Sequence, residues 1–529
     1  MPDNSMGFIF PTLILFLVAV TLFSFLQWKN VRGPPCVRGW IPWLGASLEF
    51  GRAPLEFIEQ ARIKYGPIFT VFAMGNRMTF VTEEEGIDVF FKSKKLNFEL
   101  AVQNPIYHTA SIPKNIFLTL HEKLYIMLKG KLGTLNLYQF TGQLTEELHE
   151  QLESLGTHGT MDLDNLIRHL LYPVTVNVLF NKGLFLTNKR KIKEFHHHFQ
   201  VFDEGFEYGS QVPECLLRNW SKSKKWLLTL FEKNISDIKA YKSAKDNSLT
   251  VMQAVLDIVE TETSEQSSKY GLLMLWASLS NAAPIAFWTL GFILSHPDIH
   301  KNIMQSISSV FGTTGKDKIK LSEDELKKLL LIKWCILEAI RLRAPGIISR
   351  KVMKPVKILN HMVPAGDLLM LSPFWQHRNP KYFPEPELFK PERWKKANLE
   401  KHAFLDCFMA FGSGKFQCPG RVFCIWWGSL SQMGNAELNI NKEYDTCWAT
   451  KGVEPSGEVM PPCPLPWQHL DLRSVTIHCF ALCKKYAIVY VFGILKNRNL
   501  TSLVTVWFIK SVEMIKNWNL ISCITVLKL

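Results

Sequence analysis

The sequence predicts a mainly α-helical protein with a minor β portion, preceded by one N-terminal transmembrane helix. Three observations carry that expectation. Residues 6–26 form an uninterrupted run of 21 residues without a charge. From about residue 115 to residue 345, apolar side chains recur at helical spacing. Alternating, strand-like runs are confined to residues 51–100 and to the proline-rich stretch 346–400. The 529 residues are 47% hydrophobic and 20% charged, which allows a large core and excludes disordered or collagen-like chains. A net charge of +14 points to an acidic partner: nucleic acid, anionic lipid or an acidic protein. The 36 Phe and 16 Trp favour large apolar cavities or membrane contact. None of the 11 Cys forms a C-x-x-C pair, so a zinc ribbon or thioredoxin-type site is not expected.

As a helix, residues 6–26 span roughly 31 Å, the thickness of a bilayer's hydrocarbon core. Asp3 is the one charge before the run, and Lys29, Arg32 and Arg38 follow it. That order predicts an uncleaved signal anchor, with a lumenal N-terminus and a cytosolic body. The sequons at Asn219, Asn234 and Asn499 would then stay unmodified. Pro34, Pro35 and Pro42 make 29–50 a stiff elbow. The apolar runs 486–495 and 500–509 are too short to span a bilayer. The chain thus divides into an anchor (1–28), an elbow (29–50), a body (51–428) and a tail (429–529). Within the body, a helix is expected over 54–65 and strands over 68–72 and 78–81. The nearly uncharged stretch 272–295 reads as a buried central helix, because Ser278, Ser280, Asn281 and Pro284 interrupt its apolar face.

Chemistry enters at Phe411-Gly412-Ser413-Gly414-Lys415-Phe416-Gln417-Cys418-Pro419-Gly420-Arg421. Gly412 and Gly414 permit a tight backbone path, and Cys418 falls just before a helix start. Backbone amides and the helix N-terminus favour a thiolate there, as an axial haem-iron ligand requires. A phosphate-binding loop is excluded, since no Gly stands five positions before Gly414 and Phe416 follows Lys415. Glu338 and Arg341 lie one helical turn apart, and Arg393 follows in Pro391-Glu392-Arg393-Trp394, after His377-Arg378-Asn379-Pro380. These three charges suit a charge-assisted network that pins the Cys418 loop.

The three motifs in this order resemble the cytochrome P-450 superfamily of haem-thiolate monooxygenases, over roughly residues 30–428. The resemblance implies haem b as cofactor and Cys418 as the iron ligand, with Phe411 and Gly412 shaping its loop. It also implies dioxygen, NADPH–cytochrome P-450 reductase and membrane lipid as partners, no nucleic acid, and a single-pass site in the endoplasmic reticulum membrane. Most members carry an acid followed by Thr in the central helix; this chain has Ser280 and Asn281, followed by Pro284, Phe287 and Trp288. That departure is similar to the sterol 7α- and 12α-hydroxylase branch, which also holds prostacyclin synthase. Trp40-Ile41-Pro42-Trp43 and Lys64-Tyr65-Gly66-Pro67-Ile68-Phe69-Thr70 read closest to its oxysterol-hydroxylating members, which serve bile acid and cholesterol metabolism. The resemblance gives Ser280 and Asn281 the oxygen-side roles.

By the resemblance, a basic residue and a Trp/Arg pair usually grip the haem propionates; here they read Phe416, and His121 with Tyr125, which leaves Arg350, His121 and Lys415 as candidates. Lys123, Lys129 and Lys131 are candidates for docking an acidic electron donor. Consecutive His196, His197 and His198 point in different directions on a helix and are not expected to chelate a metal together. A haem-thiolate isomerase of the prostacyclin-synthase type is the alternative reading. The tail 429–529 resembles nothing in the family and reads as an alternative exon or a gene-model read-through, disordered or not, with a genuine extra module as the other reading. If it belongs to the working protein, the Cys418 loop lacks its usual backing helix and activity is impaired.

Overall fold

A computed structural model describes residues 33–425 except 42, 156–161, 181–188, 241–249, 312–327, 345 and 397–407, together with Leu15 and Val18. The expected transmembrane run at 6–26 and the tail 429–529 therefore lie outside the described residues, apart from Leu15 and Val18, which are helical and exposed. The described residues are mainly helical with a minor sheet. They form two compact units, one of residues 33–98 with 349–372, the other of residues 99–348 with 373–425.

The first unit is built on a six-stranded sheet in the order β1-β2-β3-β8-β5-β4. The strands are β1 (Cys36–Val37), β2 (Ile68–Ala73), β3 (Asn76–Val81), β4 (Leu96–Asn97), β5 (Ile348–Val352) and β8 (Leu368–Leu371). A separate hairpin joins β6 (Val356–Ile358) to β7 (His361–Val363). β2 and β3 pair antiparallel through Met74-Gly75, both at positive φ, the backbone a two-residue hairpin requires. Phe69 and Phe80 stack across that pair at 5.6 Å, and Phe50 closes on Phe80 from the helix Ser47–Arg52. The buried Asp367 accepts from Arg77 Nε at 2.8 Å and Thr79 Oγ1 at 2.8 Å, tying β3 to the start of β8. The helix expected over 54–65 is present as Pro54–Tyr65, opened by its proline and ended by Gly66 at φ +89°.

The second unit is helical. Its central element departs from expectation: the stretch 272–295 is two helices, Ser267–Leu279 and Ala282–Ser295, separated at Ser280-Asn281. Pro284 has no N–H to return to the Ser280 carbonyl four residues back, and the next bond, from Ile285 N to Asn281 O, is stretched to 3.4 Å. The run Ser264–Ser295 is long and apolar enough to cross a membrane. Its first half is nonetheless packed inside the unit, with Tyr270, Leu272, Leu273, Leu275, Trp276 and Leu279 all buried. A second buried cluster gathers Ile336 and Ile340 of the helix Leu330–Arg343 with Phe383, Trp394, Phe408 and Phe411.

Candidate functional site

The Cys418 loop is shaped by its glycines. Gly412 and Gly414 adopt φ +70° and +72°, a region costly for any other residue type. The chain turns back so that Cys418 N donates to Phe411 O at 2.9 Å and Gly412 N to Met409 O at 2.8 Å. Helical backbone resumes at Arg421, three residues after the cysteine. Tyr125, on the helix Lys114–Lys131, donates its hydroxyl to Gln417 O at 3.0 Å and so fixes the residue before the cysteine. Cys418 is in no disulfide and is partly exposed. Burial first, then Cys418, push the Cys424 thiol up to about 12 and raise the Tyr125 phenol. Burial lowers the Arg421 guanidinium while Cys418 works against that shift.

Behind this loop sits a polar knot. Glu338 is 0% and Arg341 1% exposed. Arg341 Nε and Nη2 donate to the two Glu338 oxygens at 2.9 and 2.8 Å, and Arg393 Nε donates to Oε1 at 2.9 Å. The Trp394 indole N–H donates to Oε2 at 2.8 Å, and Lys390 N to Oε1 at 3.0 Å. Arg341 also donates to the carbonyls of His377 and Pro386 at 2.8 and 2.7 Å, and Arg393 to that of Pro384 at 2.9 Å. The carboxylate is thus surrounded by donors, the condition under which a buried charge is tolerated.

The knot reaches the loop through two side chains whose parts the sequence did not reveal. Met409 N donates to His377 Nε2 at 3.1 Å, and the His377 ring stacks on Phe408 at 4.9 Å. Trp394 meets Phe408 edge-on at 4.8 Å. These contacts join residues 14 to 32 positions apart, and Tyr125 is 292 residues from Gln417, so no local spacing signals them.

Ser280 and Asn281 occupy the break of the central helix. Ser280 is buried and Asn281 half-buried, with Asn281 Nδ2 donating to Ser280 Oγ at 3.3 Å, near the long limit for such a bond. The carbonyl of Ser280 loses its helical donor to Pro284. Two polar residues and a freed carbonyl are therefore gathered at one bend in an apolar helix.

Of the three candidates for the propionates, Arg350 belongs to the sheet unit, whereas His121 and Lys415 belong to the helical unit and both act on Glu99. Arg350, in the sheet unit, is buried between Phe90 and Phe98, each ring 5.2 Å from its guanidinium, and donates to Ser349 O at 2.8 Å. His121 is buried against Phe117 and Phe416, with Nδ1 3.4 Å from Glu99 Oε1. Burial raises the Glu99 carboxyl, but the His121 hydrogen bond, a backbone hydrogen bond and the His121 and Lys415 charges together outweigh it and leave it below its ordinary value. Lys415 pairs at the surface with Glu122 at 2.8 Å. Of the bases expected to meet an electron donor, Lys123 is bonded to Glu262 at 2.8 Å.

The donor set at Cys418 fits a thiolate-ligated iron. A single soft sulfur stands at a helix start, on a loop whose turns need glycine. A Cβ at Gly420 would sit 3.9 Å from the sulfur, an ordinary contact, so the fit rests on the thiolate chemistry and the glycine turns of the loop.

The family model described as Cytochrome P450 matches residues 34–427. The 24-hydroxycholesterol 7-alpha-hydroxylase of Homo sapiens is 78% identical over 421 residues, covering 79% of this chain and 90% of the human protein. Its Mus musculus counterpart is 71% identical over 415 residues, covering 78% of this chain and 88% of the mouse protein. The lanosterol 14-alpha demethylase of Mus musculus is 24% identical over 443 residues, covering 79% of this chain and 84% of that protein.

Proposed function

We propose that this chain, which belongs to the cytochrome P450 family, hydroxylates 24-hydroxycholesterol at the 7α position. The observation that carries the reading is its 78% identity to the human enzyme of that name. The family brings a haem-thiolate cofactor, a sterol substrate, dioxygen and a redox partner. The finer reading is haem b, NADPH–cytochrome P-450 reductase as electron donor, contact with membrane lipid, and a single-pass anchor at 6–26 in the endoplasmic reticulum with the catalytic body, 51–428, in the cytosol.

Haem, when bound, supplies the iron at which dioxygen is activated. The chain's own residues do the rest. Cys418 offers an anionic sulfur from a loop held by its turns at Gly412 and Gly414. The Glu338, Arg341 and Arg393 knot keeps the segment before that loop in place through His377, Trp394 and Phe408. At the bend of the central helix, the Asn281 amide and the Ser280 hydroxyl supply hydrogen-bond donors and acceptors inside an apolar wall. An amide cannot titrate, so these groups orient a proton-carrying water rather than act as the acid. Arg350 is the cation we retain for the propionates. Lys415 is spent on Glu122 at the surface, and His121 already faces a carboxylate.

The test is a carbon-monoxide difference spectrum of the purified full chain, followed by turnover of 24-hydroxycholesterol with reductase and NADPH. The expected result is a thiolate-type spectrum and a 7α-hydroxylated product. A thiolate spectrum with isomerised product and no NADPH use would favour the isomerase reading instead. A haem-free chain would mean that the tail 429–529 removes function.

A further inference from the structure

One peptide carries the chain into Cys418, and both of its polar ends are held. The Gln417 carbonyl and the Cys418 N–H belong to the same planar unit, which moves as one rigid piece. Tyr125 Oη donates to Gln417 O at 3.0 Å, and Cys418 N donates to Phe411 O at 2.9 Å. The second bond closes the loop 411–418 across its own neck. The first reaches it from outside, from the helix Lys114–Lys131. With both ends held, the plane cannot turn about the line between its two Cα atoms. Such a turn changes the φ of Cys418 and with it the aim of the sulfur.

The surroundings of Tyr125 suit a fixed donor. It is 6% exposed, and its ring lies beside His121 and Phe416 with centroids 6.4 and 6.2 Å away. Burial first, then Cys418, raise its phenol against a smaller opposing effect of Arg421, so the hydroxyl keeps its proton and donates. The two bonds run in one direction, from phenol O–H to carbonyl and from the N–H of the same peptide to Phe411 O. In such a chain each bond polarises the next, so loss of the phenol hydroxyl weakens the neck bond as well. The Gln417 side chain offers a weaker tie, with Nε2 3.4 Å from Gly412 O.

We propose that Tyr125 is a positioning residue for the Cys418 thiolate: its hydroxyl, acting through the Gln417 carbonyl, keeps the sulfur aimed and so preserves thiolate ligation. The inference rests on the haem-thiolate reading above and deepens it.

The experiment loads full-length wild type, Tyr125→Phe and Val174→Ala with haem. It follows the carbon-monoxide difference spectrum in dilute urea as the thiolate-type form gives way to the non-thiolate form. Haem content, melting temperature and hydrogen exchange of the 411–418 amides are recorded alongside. Tyr125→Phe keeps the ring and removes the donor. It is expected to bind haem and start in the thiolate-type form, then lose that form about threefold to tenfold faster than wild type, with faster exchange at 411–418. Val174→Ala, at a buried position of the helix Leu163–Leu179, lowers the melting temperature from elsewhere and should lose the form at the wild-type rate. Replacement of Tyr125 by 4-aminophenylalanine, which donates an N–H from the same ring position, should restore the wild-type rate. If Tyr125→Phe takes up no haem, a thiolate-type spectrum in the 4-aminophenylalanine variant supports the proposal, and its absence overturns it. A Tyr125→Phe rate equal to that of wild type or Val174→Ala, or a fast rate that the restored donor does not slow, also overturns it. A wild type without a thiolate-type spectrum would instead overturn the haem-thiolate reading.

Discussion

The knot around Glu338 and the bend at Ser280-Asn281 are both polar and both inside the helical unit, yet they are built in opposite ways. At Glu338 both carboxylate oxygens accept from donors at 2.8–3.0 Å, and the guanidiniums are shared with backbone carbonyls. At the bend the bonds are long, 3.3 Å from Asn281 Nδ2 and 3.4 Å to Asn281 O, and a proline has removed a donor altogether. The first region is saturated and serves as scaffold. The second keeps hydrogen-bonding capacity in reserve. The difference teaches how polar residues in a core divide between structure and chemistry: by whether their bonds are already spent.

The largest expected effect lies at the loop that the scaffold carries. Cys418→Ser replaces a soft anionic ligand with a neutral hydroxyl, so the thiolate spectrum and all turnover should vanish while the fold persists. The same change at Cys407, which has no flanking glycines, should leave the spectrum intact. A surviving thiolate spectrum in Cys418→Ser would sink the assignment.

Next comes the scaffold itself. Arg393→Ala leaves Glu338 buried with one donor fewer, at a cost of roughly 3–5 kcal/mol. The expected outcome is haem-poor protein with a sharply lowered melting temperature. Normal haem content with altered sterol affinity alone would show that the knot is not a scaffold.

At the bend the prediction reverses: function should fall more than stability. Asn281→Ala should cost about 2.7–4 kcal/mol of barrier, as removal of a single placed donor does. Product formed per NADPH should drop while the melting temperature and sterol binding hold. A destabilised but fully coupled variant would place Asn281 with the scaffold residues and erase the contrast.

The smallest effect concerns acid stability. His377 is held down to about 3, first by burial and then by the charges of Arg341 and Arg378. Burial also holds His196 down, to about 4. The folded protein keeps these rings neutral, whereas the unfolded chain protonates them near the ordinary 6.5. Stability is therefore full above pH 6.5 and declines as pH falls toward 4, by at most about 1.4 kcal/mol per pH unit for each histidine. Melting curves from pH 7.5 to 5 should show that decline. His377→Gln, whose amide oxygen can accept from Met409 N, should flatten it.

How much of this was legible differs by region. The Cys418 loop could be read from residue order alone, because its turns need glycine at 412 and 414 and its chemistry needs one sulfur at a helix start. The pairing of Glu338 with Arg341 follows from helical spacing. The helix Pro54–Tyr65 and the strands after it follow from a proline start, a glycine stop and alternation. The central element was half legible: Pro284 signals a lost helix hydrogen bond and a kink, but residue order does not show that 272–295 separates there into two helices.

The sequence by itself determined the local features: the elements, the cysteine loop, and the charges available for a knot. Each depends on residues within a few positions of one another, where backbone geometry is set by residue type. Tertiary structure alone decided which distant groups meet: Trp394 and Arg393 at Glu338, His377 at Met409, and Tyr125 at Gln417. Those meetings depend on how helices pack, and packing is a sum over many weak apolar contacts that leaves no periodic trace at the polar residues it brings together.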